Sequence, residues 1–270
     1  MMPMNRLLSL AYLSAHRCSV PEALTVAHHA GYQAVGLRLM PNAPGGPHQA
    51  LLHDPALMRE ALAIQRDTGV KVLDLEIIRI GESFDLHAWD ALLDAGQALG
   101  AQAVLVAGDD PDRSRLSAHY AQVCEHLQGF GLTADLEFMP WTAVPDARAA
   151  MDVIQRAAEP ANAGILVDAL HVGRSHTHLD DLRAIPRQWL HYAQICDGLA
   201  GTHFSTEEMI FTAREERSLP GEGSIDVRGI FQALPADLPV SIEVISKRRE
   251  PQFSPQAWAQ TCLAASLPFL

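Results

Sequence analysis

The chain has 270 residues, of which 48% are hydrophobic, and a formal net charge of −12 at pH 7. This surplus of acidic residues argues against binding to nucleic acid or to an anionic membrane, because both partners select basic surfaces. The length exceeds that of one average domain but suits a (β/α)8 barrel of about 250 residues, so we expect a single domain over residues 1–270.

Apolar runs of strand length alternate with helical stretches along the whole chain. The first predicted strand covers residues 7–13, and the helix that follows covers 20–30. A second strand at 34–39 precedes a loop rich in Pro and Gly and then a helix at 55–68. Six further strands are predicted at 70–77, 103–107, 133–138, 164–168, 190–197 and 239–244. The remaining helices are predicted at 86–99, 113–130, 145–158, 179–185, 226–234 and 255–266, with a small extra helix at 206–214.

Eight strands that alternate with helices at a spacing of about 30 residues predict a parallel α/β fold. A doubly wound nucleotide-binding sheet would require a glycine-rich loop after the first strand, and residues 14–20 contain no glycine. The sequence therefore predicts the α/β class and a single (β/α)8 TIM barrel.

Four successive strands carry an oxygen-bearing side chain near the carboxyl end: Glu137, Asp168, Gln194 and Glu243. An unpaired buried carboxylate is costly, so charges at the ends of apolar strands require a partner. One inward position per strand can point at a common centre, and these side chains together form a hard, oxygen-rich ligand set. We therefore predict one divalent metal ion, Mn²⁺, Mg²⁺ or Co²⁺, with Zn²⁺ as an alternative.

Three further side chains are candidates for the site. His171 follows a strand end and is predicted to lie in the active site, whereas Trp141 either walls the pocket or packs the barrel top. Arg38 stands in an apolar strand and needs a partner if buried, either an anionic group of the substrate or the inward acid Glu76.

The cysteines and the end of the chain give weaker indications. Four cysteines without CxxC spacing favour a reduced, cytoplasmic location. The apolar residues 267–270 are expected either to form a contact surface in a homo-oligomer or to cap the barrel.

Five segments carry a resemblance to a known family: LEFMPW (136–141), VDALH (167–171), YAQICDG (192–198), ERSLPGEGSID (216–226) and SIEV (241–244). They resemble the xylose-isomerase-like TIM-barrel superfamily over nearly the whole chain. That group contains inosose isomerases, ketose 3-epimerases, hydroxypyruvate isomerases and 3-dehydroshikimate dehydratases.

The resemblance implies roles for individual residues. The implied metal ligands are Glu137, Asp168, Gln194 and Glu243. Glu137 and Glu243 would also act as the acid–base pair, and His171 and Arg217 would contact the substrate. Inosose isomerases and ketose epimerases usually have His where this chain has Gln194, whereas hydroxypyruvate isomerases and some dehydratases carry Gln. The long loop before Arg217, together with an arginine at position 38, looks more like the inosose isomerases.

The resulting hypothesis is a divalent-metal-dependent isomerase or epimerase of a keto-sugar or inosose-like cyclitol. A cation that chelates an α-hydroxyketone acidifies the intervening C–H group and stabilises the enediolate, while two carboxylates remove and return the proton. One alternative is a lyase that dehydrates a 3-dehydroshikimate- or inosose-like ketone, and another is a barrel that only binds a sugar. The DNA-repair endonuclease of the same superfamily is disfavoured by the acidic composition and by Gln194.

Overall fold

The computed structural model describes residues 6–270, in which eight parallel strands pair in sequence order and close into one barrel. The strands are β1 Leu8–Leu10, β2 Ala34–Leu37, β3 Lys71–Ile80, β4 Ala103–Gly108, β5 Thr133–Glu137, β6 Ala163–Asp168, β7 Ala193–Ile195 and β8 Val240–Ile242. The helices are α1 Val20–Ala30, α2 Pro55–Thr68, α3 Asp90–Leu99, α4 Arg113–Gln128, α5 Ala147–Arg156, α6 Ala169–Arg174, α7 Leu179–Ala184, α8 Thr206–Glu215, α9 Val227–Ala233 and α10 Pro255–Ser266. The predicted α/β class and (β/α)8 barrel are confirmed.

Local capping residues determine where several helices begin and end. Ser19 and Glu22 form a reciprocal capping box at the start of α1, which satisfies N–H groups that have no partner within the helix. Asp112 accepts hydrogen bonds from two backbone N–H groups at the start of α4. Gly31 and Gly69 end α1 and α2 with positive φ, which glycine adopts without steric cost. The chain then turns back into the next strand.

Several strands differ in length from the prediction, and β2, β7 and β8 are shorter than the predicted ranges 34–39, 190–197 and 239–244. The predicted strand over residues 7–13 is too long, because Tyr12–Ala15 forms a 3₁₀ helix directly after β1. Strand β3 is longer than predicted and continues to Ile80. Its pairing with β4 is irregular between Leu75 and Ile78, and the extended strand carries Arg79 to the barrel mouth.

The carboxyl ends of the parallel strands lie at one rim of the barrel, where enzymes of this architecture place their active sites. Asp168 of β6 pairs beside Gln194 of β7, and Glu137 ends the preceding strand, β5. Gln194 lies beside Ser241 of β8, two residues before Glu243. The register therefore gathers residues that are far apart in the sequence at adjacent positions on this rim.

The end of the chain packs partly against the barrel. Residues Leu267–Phe269 form a 3₁₀ helix, and Phe269 lies half-buried against the core with the Arg228 guanidinium 5.3 Å from its ring centroid. Both the capping of the barrel bottom and self-association stay predictions. Within residues 6–270, no helix combines the length and apolar character needed to cross a lipid bilayer.

Gly164 of β6 leaves room for an ion pair on neighbouring elements. His191 Nδ1 lies 2.7 Å from Asp135 Oδ1, and the other oxygen of Asp135 accepts a hydrogen bond from Thr133. A Cβ atom at position 164 would stand 2.2 Å from the carboxylate and 2.5 Å from the imidazole. Burial disfavours the charged imidazole, but the hydrogen bond and charge of Asp135 outweigh burial and raise the pKa of His191.

We expect His191→Gln to lower the free energy of unfolding by about 1 kcal/mol in acid and by less in base. A raised pKa in the folded state contributes stability that is fully present below about pH 6.5 and is lost as the pH rises through the folded-state value. Urea unfolding of both proteins at about pH 5.5 and 8.5 measures this difference. His29→Gln on the exposed surface of α1 is the control, and an equal deficit at both pH values would contradict the assignment.

Candidate active site

The four predicted strand-end residues are buried at the rim, each with 4% or less of its surface exposed. Glu137 and Asp168 meet His171, so that one ligating atom from each of the three lies within 4.8 Å of the others. The second pair of predicted ligands is in direct contact, because Gln194 Nε2 donates a hydrogen bond of 3.1 Å to Glu243 Oε1. The predicted site residues therefore form two adjoining groups.

His171 lies on α6, a helix that is absent from the sequence prediction. Asp168 begins this helix as its cap, because its Oδ1 accepts a hydrogen bond of 2.7 Å from the backbone N–H of Leu170. Residues three apart share a helix face, and His171 Nε2 accordingly lies 3.9 Å from Asp168 Oδ2. The same nitrogen lies 3.5 Å from Oε1 of Glu137 at the end of β5. An Asp followed by Ala-Leu is a helix-start signal that could have revealed α6, although the apolar run of β6 concealed it.

Arg217 lies between the two groups and touches both. Its Nη1 donates to Asp168 Oδ2 at 2.5 Å, and its Nη2 lies 2.7 Å from Glu243 Oε2. Its Nε donates to the backbone oxygen of Ala213 at 2.9 Å. Charge-assisted hydrogen bonds are stronger than neutral ones, so Arg217 fixes the orientation of both carboxylates.

Burial and the single guanidinium set the proton affinities of this cluster. Burial raises the pKa of Glu137 well above its ordinary value, and the charge of Asp168 adds to the rise. Burial likewise raises the pKa of Glu243 well above its ordinary value, although Arg217 opposes the rise. Burial opposes the ionisation of Asp168, but Arg217 and His171 outweigh it and lower the pKa of Asp168 to about 2. Burial lowers the pKa of His171 to about 4, so its imidazole is neutral near pH 7.

The donor set suits a divalent cation. Three carboxylates beside one guanidinium leave a surplus of two negative charges when all are ionised, which a dication would neutralise. Within residues 6–270, the buried Gln194 Oε1 has no hydrogen-bond partner, and it can accept a cation. Carboxylate and amide oxygens with a neutral imidazole are ligands for Mn²⁺, Mg²⁺, Co²⁺ or Zn²⁺. The residues that would hold the ion are Glu137 and Asp168 with either His171 or the pair Gln194 and Glu243.

Arg38 and Trp141, both predicted as candidates for the site, line the same cavity as Glu137 and Glu243. Arg38 Nη2 lies 2.5 Å from Glu76 Oε2, so the second of its two predicted partners is the one observed. The Arg38 guanidinium also lies 4.4 Å from the centroid of the Tyr12 ring. Trp141 packs edge-on against His171 with ring centroids 5.1 Å apart, which restrains the imidazole.

Comparison with known proteins places this architecture in a family. A family model described as a xylose isomerase-like TIM barrel matches residues 24–264 of the sequence. The chain belongs to this family. A search of curated proteins finds no match.

Solved structures share the fold of this xylose isomerase-like barrel. A xylose isomerase-like TIM barrel/4-hydroxyphenylpyruvate dioxygenase fusion protein aligns with a TM-score of 0.81 and 20% identity, covering 98% of this chain but 42% of the fusion protein. The IolI protein, in a crystal structure with a bound zinc atom, aligns with a TM-score of 0.78 and 18% identity over 97% of both chains. The probable 3-DHS dehydratase AsbF from Bacillus anthracis aligns with a TM-score of 0.77 and 15% identity over 96% of this chain and 98% of its own. At these identities the likeness establishes the fold alone.

In this xylose isomerase-like barrel, a buried aspartate holds the loop that carries Arg217. Asp197 Oδ1 accepts hydrogen bonds from the N–H groups of Gly198 and Ile225, and Oδ2 accepts from Gly221 and Gly223, at 2.7 to 3.2 Å. Glycine is required at position 223, because a Cβ atom there would lie 2.2 Å from the carboxylate. The Pro-Gly-x-Gly turn of the sequence is therefore wrapped around one carboxylate.

We expect Asp197→Asn to destabilise the protein by about 3 kcal/mol, because the amide NH₂ would face two buried N–H donors. Activity should fall as well, since the loop that positions Arg217 loses its anchor. Urea unfolding and turnover measure the two effects. Asp226→Asn is the matched control, because Asp226 is exposed and accepts a single capping hydrogen bond from Gly229. An equally small effect of both changes would contradict the anchoring role.

A second cluster of candidate metal ligands lies away from the barrel mouth. His87, Asp90 and His126 each offer an atom within 4.8 Å of the others. His126 Nε2 lies 2.7 Å and His87 Nδ1 3.2 Å from the two oxygens of Asp90, so these side chains already pair with one another. Any metal bound at this cluster must therefore be distinguished from metal bound at the barrel site.

Proposed function

We propose that the protein is a cytoplasmic, divalent-metal-dependent isomerase or epimerase that acts on a keto-sugar or cyclitol. The observation that carries the proposal is the convergence of Glu137, Asp168 and Glu243 at one barrel rim around a single guanidinium. Membership of the xylose isomerase-like family supports the reaction class. A buried cluster of acids with surplus negative charge supports the requirement for a cation.

The residues present can perform proton transfer next to a carbonyl group. Glu137 ends β5 and Glu243 directly follows β8, on different parts of the rim, and their carboxylates can approach a bound carbon atom from separate sides. One would remove the proton from the carbon and the other would return a proton, either to the opposite face or to the adjacent carbon. The neutral imidazole of His171 can donate a hydrogen bond to a substrate oxygen, and Arg217 would hold Glu243 in place.

A bound dication would supply Lewis acidity, which polarises the substrate carbonyl and acidifies the neighbouring C–H group. The protein's own contribution is to orient the carboxylates and to exclude water. The cavity that reaches them has a volume of about 50 Å³, enough for an ion and a few water molecules or small substrate groups. Water exclusion strengthens the electrostatic interactions in such a space.

A second candidate function is dehydration of a 3-dehydroshikimate- or inosose-like ketone. Gln194 favours it, because some dehydratases of the family that the sequence resembles carry Gln at this position, whereas inosose isomerases and ketose epimerases usually have His. The first chemical step is the same removal of a proton next to the carbonyl. The two functions then diverge: isomerisation returns the proton to carbon, whereas dehydration expels a β-hydroxyl group as water.

The test is deuterium uptake from D₂O into a panel of ketoses and inososes, with the Mn²⁺-loaded protein and proton NMR as the readout. Incorporation at the carbon next to the carbonyl, without loss of water, is the result expected for an isomerase or epimerase. Appearance of an unsaturated product with ultraviolet absorbance would favour the lyase. Binding of a sugar without exchange at any carbon would replace the enzymatic proposal with a binding role.

A further inference from the structure

Three arginines meet at the outer part of the barrel mouth. Arg38 follows β2, Arg79 lies near the end of β3, and Arg214 lies in the last turn of α8. All three side chains line the cavity that also contains Glu137 and His171. This concentration of positive charge stands in a chain whose formal net charge is −12.

The three arginines differ in their partners. Arg38 is paired with Glu76, as described above, and Arg79 Nη1 donates to Asp109 Oδ2 at 2.6 Å. The half-buried guanidinium of Arg214 forms neither an ion pair nor a hydrogen bond with any side chain or backbone group within residues 6–270. Lys247, at the same mouth, is paired with Glu215. Arg214 is therefore the surplus cation of this part of the protein.

The surroundings of Arg214 are unfavourable for an unpaired cation. Burial lowers the pKa of its guanidinium, and the nearby charges of Arg79 and Arg38 lower the pKa further. Desolvation and like-charge repulsion thus oppose the observed arrangement, and the charges of Asp109 and Glu215, which form no ion pair with Arg214, offset them only in part. A bound anion would offset both, and the planar guanidinium suits the oxygens of a carboxylate or a phosphate.

Arg214 lies where two neighbouring cavities of the barrel mouth meet. The inner cavity of about 50 Å³ reaches the carboxylates, and an outer cavity of about 230 Å³ opens beside it. Both are lined by Arg38 and Arg214, together with Leu13 and Asn42. A substrate whose reacting carbons enter the inner cavity would therefore leave its other end beside Arg214.

We propose that Arg214, flanked by Arg38 and Arg79, binds an anionic group of the substrate, so that the substrate is a sugar acid or a phosphorylated ketose. The assignment of this group as the far end of a reacting substrate rests on the function proposed above. Carboxylate and phosphate share the recognising chemistry, because each presents oxygens to a guanidinium. The inner acids bind a cation and the outer arginines bind an anion.

The test compares three six-carbon compounds: neutral D-fructose, D-fructose 6-phosphate and 2-keto-D-gluconate. Deuterium exchange next to the carbonyl is measured for the Mn²⁺-loaded wild type and for Arg214→Gln. We expect kcat/KM for at least one anionic compound to exceed that for fructose by about tenfold or more, and Arg214→Gln to remove this preference. Preference for the phosphate over the carboxylate, or the reverse, identifies which anion the subsite takes.

Binding of inorganic phosphate, measured by calorimetry, separates the subsite from the reaction. Phosphate binding that is at least about tenfold weaker in Arg214→Gln than in the wild type supports the subsite. If at the same time no compound exchanges a proton, the lack of exchange counts against the proposed function and not against the subsite. Arg66→Gln, an exposed position in the last turn of α2, is the matched control and should behave as wild type. Phosphate affinity and substrate preference that are unchanged in Arg214→Gln would overturn the proposal.

Discussion

Replacing Glu243 with glutamine is expected to lower turnover by about 10² to 10⁴-fold, while most metal binding is retained. Glutamine keeps the size of the side chain but cannot accept the proton that the reaction moves. The packing can tolerate the change, because Gln194 can rotate its amide and offer the unpartnered Oε1 to the new NH₂ group, while Glu137, Asp168 and His171 remain to hold the ion. Arg217 would keep an acceptor in the remaining oxygen.

The measurement is deuterium exchange at saturating substrate, with metal content determined on the same sample. Glu125→Gln on the exposed face of α4 is the control, since it makes the same chemical change away from the rim. Near-normal turnover in Glu243→Gln would remove this residue from the acid–base pair. Loss of the metal together with turnover would instead assign Glu243 mainly to metal binding.

Chelation of the metal is expected to abolish turnover, and reloading with Mn²⁺ should restore it with one ion per chain at the barrel site. Glu137→Ala should lose this ion, because Glu137 belongs to both candidate ligand sets. The two sets differ in His171 and in the pair of Gln194 and Glu243. A fall in affinity of about tenfold or more in His171→Ala, but not in Gln194→Ala, would select the set that contains the imidazole.

The outer cluster of His87, Asp90 and His126 requires its own control in this experiment. His126→Ala should leave the Mn²⁺ content and the turnover unchanged, because the imidazole lies on α4 and away from the mouth. If the purified protein binds no metal and shows no response to reloading, the metal-assisted mechanism is wrong. The assignment of the barrel fold would be unaffected, and a sugar-binding function would become the leading hypothesis.

Much of the fold could be predicted because its signals are local. Helix-capping residues, glycines that end helices, and apolar strands alternate along the sequence at a spacing typical of a parallel α/β fold. The carboxyl ends of the strands in such a barrel lie at one rim. Short segments were harder to predict. The 3₁₀ helix at Tyr12–Ala15 and helix α6 both follow apolar strands, and a strand pattern extends into them without a break.

The contacts within the site could be predicted only in part. The positions of Glu137 and Asp168 follow from strand order, but the path of the Arg217 side chain depends on a loop whose shape is set by four hydrogen bonds to Asp197. The observed partner of Arg38 was one of two alternatives that the sequence left open. Arg214 did not stand out in the sequence, because an arginine at a helix end is ordinarily solvated.

The segment that contains α8 connects β7 to α9, and hydrogen bonds attach both of its ends to the barrel. Asp197 and Ser218 form an antiparallel bridge, and the backbone N–H of Arg217 donates to Ile245 O at 2.7 Å. Both ends of the segment are thus tied to the barrel by backbone hydrogen bonds, and Arg174 of α6 adds hydrogen bonds to Leu199 and Thr212. Residues 199–212 can therefore serve as an exchangeable cassette in directed evolution, in which new lengths and sequences would change the segment that leads into Ala213 and Arg214, while Arg217 keeps its place and its hydrogen bond to Ala213.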